Sequence, residues 1–459
     1  MILGDRVSWL GIIILSVLFC GTIYYVGAYV QQSDFYSLMT YMTLAVGCMA
    51  ILVWLKPNDK EVYFLIGVGI FIRWILMWYA PLLSDDLYRF LWDGHLWQDG
   101  INPFSATPSM LIEGGNLSDW YTQQYDKLNS QDYFTIYPPV CQGVFWLSTL
   151  DILPFWLWGG LLIKMTFFIA ECMTIWSIIK LCRHFRVPLV QSLFYILNPL
   201  ILIELMGNLH FETLMVCFIT LMLLFLVKAK YWQSGLCYGL AVCTKILPLM
   251  FGPFLLLYLG WKKSLTYFGV AGLVVIGSFS WMLQGHLAEI LSSINLYFQT
   301  FEFNASLYYI GRGIGQLLKG YNVINTLGPL LSIVGLSGIL WLSYHYYQSK
   351  SVDKSRQIDQ EFILAMMSIF TVYLLTATTV HPWYLSMLVL LSVFTQVRYA
   401  IVWSWVVLLS YSAYLVDPTT ELLWLVGIEY IVVITYFIMQ DSRREYYVSI
   451  LSKLKKLRR

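Results

Sequence analysis

Residues 84–104 read SDDLYRFLWDGHLWQDGINPF, and IYPPV follows at 136–140. The stretch is polar in a chain that is otherwise mostly hydrocarbon. Asp85 and Asp86 sit just past an apolar run that ends near Ala80. Arg89 comes four residues after Asp85, one helical turn on, where it can pair with that carboxylate. With Ser84 as the cap, the spacing predicts a helix whose first turn holds both carboxylates, where the helix dipole favours their ionised form. Leu87, Phe90, Leu91 and Trp97 then share an apolar face, while Asp86, Arg89 and Asp93 share a polar one. Gly100 and Pro103 end the helix. Such a helix lies along a membrane surface with its carboxylates near the headgroups.

Working outward, composition sets the class. The chain has 459 residues, 59% of them hydrophobic and 12% charged. A water-soluble core has no use for that much apolar surface, so a polytopic membrane protein is predicted. The net charge of +2 gives no reason to expect nucleic acid. The eight cysteines are scattered singly without a CxxC pair, which argues against a disulfide framework or a zinc site.

Apolar runs long enough to cross a bilayer occur at about 7–30, 37–55, 61–80, 157–182, 189–206, 209–227, 264–284, 326–347, 361–379, 399–416 and 420–440. Residues 234–261, interrupted by Lys245 and Pro248, read as two short helices, and 383–396 as one short span. The expectation is an all-α, polytopic transmembrane helical bundle of about 14 crossings (range 12–14), forming a single domain over 1–459, with interfacial helices in its first long outer loop. Only Arg89, Lys127, Arg312 and Lys319 fall in the loops on the side of the carboxylates. The other cations outside the spans fall on the opposite side. By the positive-inside rule both termini are cytoplasmic and Asp85 and Asp86 face outward. This layout requires 137–150, opened by Pro138 and Pro139, not to cross. The two long outer segments are then about 81–156 and 285–325, and the basic tail KLKKLRR meets anionic headgroups on the inner face.

SDDLYRFLWDG…GINPF followed by IYPP resembles the first outer loop of GT-C glycosyltransferases, in particular bacterial polyprenyl-phosphate-mannose-dependent mannosyltransferases. The likeness continues through NPLILIELMGNLHFE at 198–212, TKILPL at 244–249 and HPWYL at 381–385. It implies transfer of a hexose, mannose first, from a polyprenyl-phosphate donor to a hydroxyl of a lipid or glycan acceptor, with inversion, at a bacterial inner membrane. A base must remove the acceptor proton during attack on the anomeric carbon. Asp85, the residue carried over from the family, is the first candidate and Asp86 the second. Adjacent carboxylates can also ligate a divalent cation, but relatives that use lipid-monophosphate sugars generally work without one, so no metal or other cofactor is expected.

A leaving phosphate needs cations or N–H groups beside it. Lys245, in an apolar run next to a proline, is the first candidate, since an embedded lysine is costly. Arg312, within the glycine-rich FNASLYYIGRGIG, is the second. Arg89, Asp93, His210, Glu212, His381, Trp383 and Tyr384 complete the expected substrate-binding set. Lys164 and Arg73 are expected to snorkel or pair within the bundle, and Glu171 to need a buried partner. The alternative is a multi-pass transporter or flippase of a lipid-linked sugar, which many spans, a broken helix and buried charges would also suit.

Overall fold

The computed structural model describes residues 9–115, 117–150, 159–283, 285–289, 291, 301–351, 358–415 and 420–457. Parts of the second expected outer segment and of the inner loop near 348–360 lie outside them, as do the side chains of the basic tail. Among the described residues the chain is helical, with one isolated parallel bridge between Phe303 and Thr379.

Three helices open the chain: α1 (Trp9–Tyr29), α2 (Phe35–Trp54) and α3 (Asp59–Leu76). Local chemistry sets their starts. Asp34 accepts the Ser37 N–H ahead of α2, and Asn58 and Glu61 form a reciprocal capping box ahead of α3. Then come α4 (Asp86–Gln98), α5 (Pro108–Glu113), α6 (Asp119–Tyr125) and α7 (Pro139–Ser148). At ten residues α7 is about 15 Å long, half the hydrocarbon thickness, so it does not cross. The long α8 (Gly159–Phe185) follows.

Among the described residues, six helices are long and apolar enough to cross: Trp9–Tyr29, Phe35–Trp54, Gly160–Phe185, Leu247–Met282, Ile324–Ser349 and Leu423–Gln440. The protein is therefore a multi-pass membrane protein. The run at 189–206, expected as one span, is instead a pair of helical pieces, Leu189–Ile196 and Ile201–Gly207, bent by 53°. Its α-helical part is α9 (Leu193–Ile196), and Pro199 follows within the break. The second piece winds as a π-helix. Four shorter apolar helices add to these: Glu212–Val227, Gln360–Thr376, Pro382–Ser392 and Tyr399–Leu415. Against the 14 expected crossings, which already included two short helices at 234–261 and one short span at 383–396, the described residues give six long apolar helices, seven if the bent pair is one span, beside these shorter ones.

The rest of the bundle is α10 (Glu212–Val227), α11 (Tyr231–Thr244), α12 (Gly252–Leu283), α13 (Leu307–Lys319), α14 (Ile324–Ser351), α15 (Gln360–Thr376), α16 (Ser386–Ser392), α17 (Tyr399–Val406) and α18 (Leu423–Leu457). The break expected between Lys245 and Pro248 is present: α11 stops at Thr244 and a 3-10 turn covers Leu247–Phe251. Gly260, at φ 69°, then interrupts α12, so the pieces read separately at 234–261 and 264–284 are cut one residue before Trp261.

Buried charges cross-link the bundle. Arg73 donates to Glu171 at 2.8 Å and to the carbonyls of Gly69 and Ile196 at 2.9 and 2.7 Å, while Tyr195 donates to Glu171 at 2.7 Å. Lys164 donates to the carbonyls of Leu76 and Gly207, each at 3.0 Å, and to that of Tyr79. Both cations pair within the bundle and neither snorkels.

Helix α4 rests on α7 at close range. Phe90 stacks on Phe145 with ring centroids 4.7 Å apart, and a Cβ at Gly94 would run into the Phe145 carbonyl oxygen and the Thr149 methyl. Gly94→Ala should therefore push α4 off α7 and cost about 1–3 kcal/mol, the scale of overpacking. Thermal melting of the purified variant in detergent checks this; an unchanged Tm would mean that the two helices do not pack in this way.

Candidate active site

The backbone places the two carboxylates differently from the expectation. Asp85, not Ser84, occupies the capping position of α4, and its side chain makes no capping bond. The Ser84 hydroxyl accepts only one long bond, from the Asp86 N–H at 3.4 Å. Asp86 is the first helical residue, beside the positive end of the helix dipole. Burial, and then the Asp86 charge, raise the Asp85 carboxyl above its usual range, against hydrogen bonds from Asn129 and from its own backbone.

Arg89 does not pair with Asp85. Its Nε donates to Asp93 at 2.9 Å, and its Nη1 donates to the Ser130 and Tyr133 carbonyls at 3.0 Å each and to Ser130 Oγ at 3.2 Å. Asp85 has φ −103° and ψ 5°, outside the helix, so the one-turn relation to Arg89 does not hold there. Asp93 is fully buried, and its second oxygen accepts from Gln142 at 2.9 Å. Arg89 and Asp93 are thus tied into the wall behind the carboxylates.

A cavity of about 340 Å³ opens beside them. Asp86, His210, Glu212, Lys245, Trp383 and Tyr384 all line it, together with Tyr137, Pro138, Cys141 and Tyr373. Residues expected to act together from four separate motifs meet on one space. Asp85 stands next to Asp86 outside that lining, on the more exposed side.

Lys245 reaches the cavity because the chain is extended there, at φ −153° and ψ 137°, between the end of α11 and the turn carrying Pro248. Its ammonium pairs with Glu212 and lies 4.6 Å from the centre of the Tyr384 ring. Glu212 opens α10 and is buried, so a helix dipole and a cation both stabilise its charge.

An aromatic stack forms the adjoining wall. His210 lies on Trp383 at 3.6 Å between centroids, Trp383 on His381 at 4.4 Å, and His381 on Phe303 at 4.9 Å. Both faces of Trp383 are covered, so it presents an edge to the cavity rather than a platform for a sugar ring. His381 does not line the cavity but sits behind Trp383. Burial, and then the charge of Lys245 and the nearby His210, push it down to about 3, and it is neutral at physiological pH. Its Nδ1 is buried without a hydrogen-bond partner among the described residues.

Arg312 is not brought to this cavity. It sits on α13, pairs with Glu302 at 2.9 Å and lies over the Tyr309 ring at 4.4 Å. The glycines around it do not form an open phosphate loop. Gly311 and Gly315 are helical, and a Cβ on either would strike Leu327 or Val323. They serve close packing of α13 on the start of α14.

Two residues were missed. Glu204 is fully buried, accepts from Tyr411 at 2.7 Å and from Asn208 at 3.2 Å, and lies 3.2 Å from His210 Nε2 at an angle that makes no hydrogen bond. Its signal was a carboxylate inside an apolar run, the same one that drew attention to Glu171. Asn129, which donates to both carboxylates of the pair, had no signal, since a lone asparagine in a polar loop is ordinary.

Two relatives share part of the chain. The alpha-(1->6)-mannopyranosyltransferase A of Corynebacterium glutamicum is 27% identical over 187 residues, covering 39% of this chain and 35% of that one. The protein of the same name from Mycobacterium tuberculosis is 25% identical over 191 residues, with the same coverage of 39% and 35%. The alignments thus span about a third of the length of these curated relatives. Residues 13–260 match the MptA_B family, described as alpha-(1->6)-mannopyranosyltransferase, N-terminal domain. That stretch includes Asp85, Asp86, His210, Glu212 and Lys245, and the HPWYL motif lies beyond it. With more than half of its length matched, this chain belongs to the MptA_B alpha-(1->6)-mannopyranosyltransferase family.

Proposed function

We propose that the protein is an inverting mannosyltransferase that takes mannose from a polyprenyl-phosphate donor and passes it to a hydroxyl of a lipid or glycan acceptor. The observation that carries this reading is one cavity bearing Asp86 and Lys245 that continues into an apolar groove. The groove, about 350 Å³, shares Met250, Tyr373 and Tyr384 with the cavity and runs between Leu249, Pro253, Leu336 and Ile339. A donor with a phosphate between a sugar and a prenyl chain matches that sequence of surfaces. The phosphate meets Lys245, the prenyl tail follows the groove, and the sugar faces Asp86. Mannose and the alpha-(1->6) linkage come from the relatives' names. Inversion to an α product requires a β-linked donor.

In the reaction the acceptor oxygen attacks the anomeric carbon, and the bond from that carbon to the phosphate oxygen breaks with its electron pair leaving on phosphate. The acceptor proton goes to a carboxylate. Asp85 suits this role: it is the more exposed of the two carboxylates, and its raised proton affinity brings it nearer the working pH. Asp86, on the cavity wall, orients the sugar. Lys245 moves from Glu212 to the phosphate and stabilises the charge that develops there. No step requires a metal. The distribution of cations supports an outward-facing site with both termini cytoplasmic, and the bacterial sources of the relatives support an inner membrane.

Buried charge is disposed against the transporter reading. Arg73 and Lys164 bond to backbone carbonyls and to Glu171, so they hold helix ends together and do not line a passage.

Asp85→Asn should lower kcat about 100-fold or more, the scale of general-base loss, with the donor KM nearly unchanged. Asp86→Asn should cost less in kcat, raise the donor KM, and move the acidic limb of the pH–rate profile to lower pH, because the Asp86 charge is one of the causes that raise Asp85. Assays in nanodiscs with radiolabelled polyprenyl-phosphate mannose read all three. Full activity of Asp85→Asn beside an inactive Asp86→Asn would exchange the roles, and full activity in both would end the catalytic assignment.

Lys245→Met should weaken donor use by about 1.5–3 kcal/mol, or about ten- to 150-fold in kcat/KM, the scale of a charge-assisted hydrogen bond. Parent-like kinetics at low donor concentration would remove Lys245 as the phosphate site.

A further inference from the structure

The two carboxylates at the head of α4 are held by a residue 43 and 44 positions away. Asn129 Nδ2 donates to Asp85 Oδ1 at 2.9 Å and to Asp86 Oδ1 at 3.2 Å. An amide nitrogen carries two hydrogens, one for each carboxylate, so a single side chain joins two like charges that would otherwise push apart. One oxygen of each carboxylate stays outside the bridge.

The loop that presents Asn129 is itself clamped. Arg89 Nη1 gathers the Ser130 and Tyr133 carbonyls and Ser130 Oγ, while its Nε rests on Asp93. Gln142 holds the other Asp93 oxygen at 2.9 Å and accepts from Trp97 Nε1 at 2.8 Å. A continuous chain of bonds thus runs from α7 through Asp93 and Arg89 to the loop, and from Asn129 to the carboxylates. Arg89, expected to hold Asp85 directly, acts on it at one remove.

We infer that Asn129 is a positioning residue for the transferase reaction, fixing Asp85 and Asp86 side by side through one bridging amide. This rests on the reading of the carboxylates as the base and its partner. The titratable groups beside the pair are each carboxylate for the other and Tyr411 and Tyr414 from the 3-10 segment Val407–Leu415, and Asp86 shares its cavity lining with Lys245, Glu212 and His210. Of these groups, Asp86 raises Asp85, and the Asn129 amide acts in the opposite direction. Turned about, the Asn129 carbonyl and the two carboxylates would instead present three oxygens, the donor type a hard divalent cation takes.

The test compares Asn129→Leu and Asn129→Ser with the parent and with Asp85→Asn. Full-length protein in nanodiscs is assayed with radiolabelled polyprenyl-phosphate mannose across pH, with and without EDTA, and thermal melting is recorded. Asn129→Leu should lower kcat about ten- to 100-fold, the scale of a misplaced catalytic group, with the donor KM nearly unchanged. Its acidic limb should move to higher pH, because a bond favouring the ionised carboxylate is lost. Asn129→Ser keeps one donor in place of two and should fall between. A lower kcat with an unmoved limb would reduce Asn129 to a structural contact and overturn the proposal, as would parent-like kinetics. Activity that EDTA abolishes and Mg²⁺ or Mn²⁺ restores would overturn it in favour of a cation site. If Asn129→Leu does not fold, the Asn129→Ser limb decides alone. Parent-like Asn129 variants beside an inactive Asp85→Asn would sink this proposal and leave the base standing, whereas a fully active Asp85→Asn would sink the base itself.

Discussion

In hydrocarbon, every backbone carbonyl freed by a helix break must find a donor, because no water is there to supply one. This chain breaks its helices where it builds its site, and buried cations answer the need. Arg73 takes the Ile196 carbonyl at the end of Leu189–Ile196, and Lys164 takes those of Gly207, Leu76 and Tyr79. These bonds fix the end of α3, which leads toward Asp85, against the end of the π-helix, which leads into His210 and Glu212. The two motifs meet on one cavity because their feet are pinned together. The charges are tolerated because each is bonded to several groups, with Glu171 shared between Arg73 and Tyr195.

The cavity repeats this pattern with the charges left adjustable. Lys245 is matched by Glu212 and steadied by the Tyr384 ring, yet it remains partly exposed. An ammonium with a resident carboxylate partner can accept an incoming phosphate by exchange of one anion for another, without ever standing alone in a low dielectric. Near Lys245, His381 is kept neutral by burial and by that same cation, so the wall behind Trp383 adds no competing positive charge. Positive charge is thus concentrated at Lys245, on a cavity whose lining also holds Asp86.

The helix breaks also explain the aromatic wall. Val380 donates to the Phe303 carbonyl at 2.8 Å and Phe303 to the Thr378 carbonyl at 3.1 Å, so the segment before α13 is stitched to the turn that carries His381. Stacking from Phe303 through to His210 then joins three distant parts of the chain by ring contact. Covering both faces of Trp383 makes it a rigid part of the cavity wall.

Much was legible without a fold. Hydropathy alone required a helical membrane bundle. The helix break at Lys245–Pro248 and the helix start at Pro139 followed from the missing N–H of proline, and a carboxylate pair stranded beside an apolar run marked the candidate site. These are local properties, set by composition, spacing and backbone chemistry. What the tertiary structure decided was partnership. Arg89 had an acidic residue one turn away on either side, and only the non-helical backbone of Asp85 and the carbonyls of the 130–133 loop gave it to Asp93. Arg312 looked like a second phosphate cation until its glycines proved to be packing surfaces of α13. Asn129 had no local signature, because an amide that bridges two carboxylates is defined by where a distant loop is clamped. Such bonds depend on three-dimensional distance, which one-dimensional spacing determines only within a single helix.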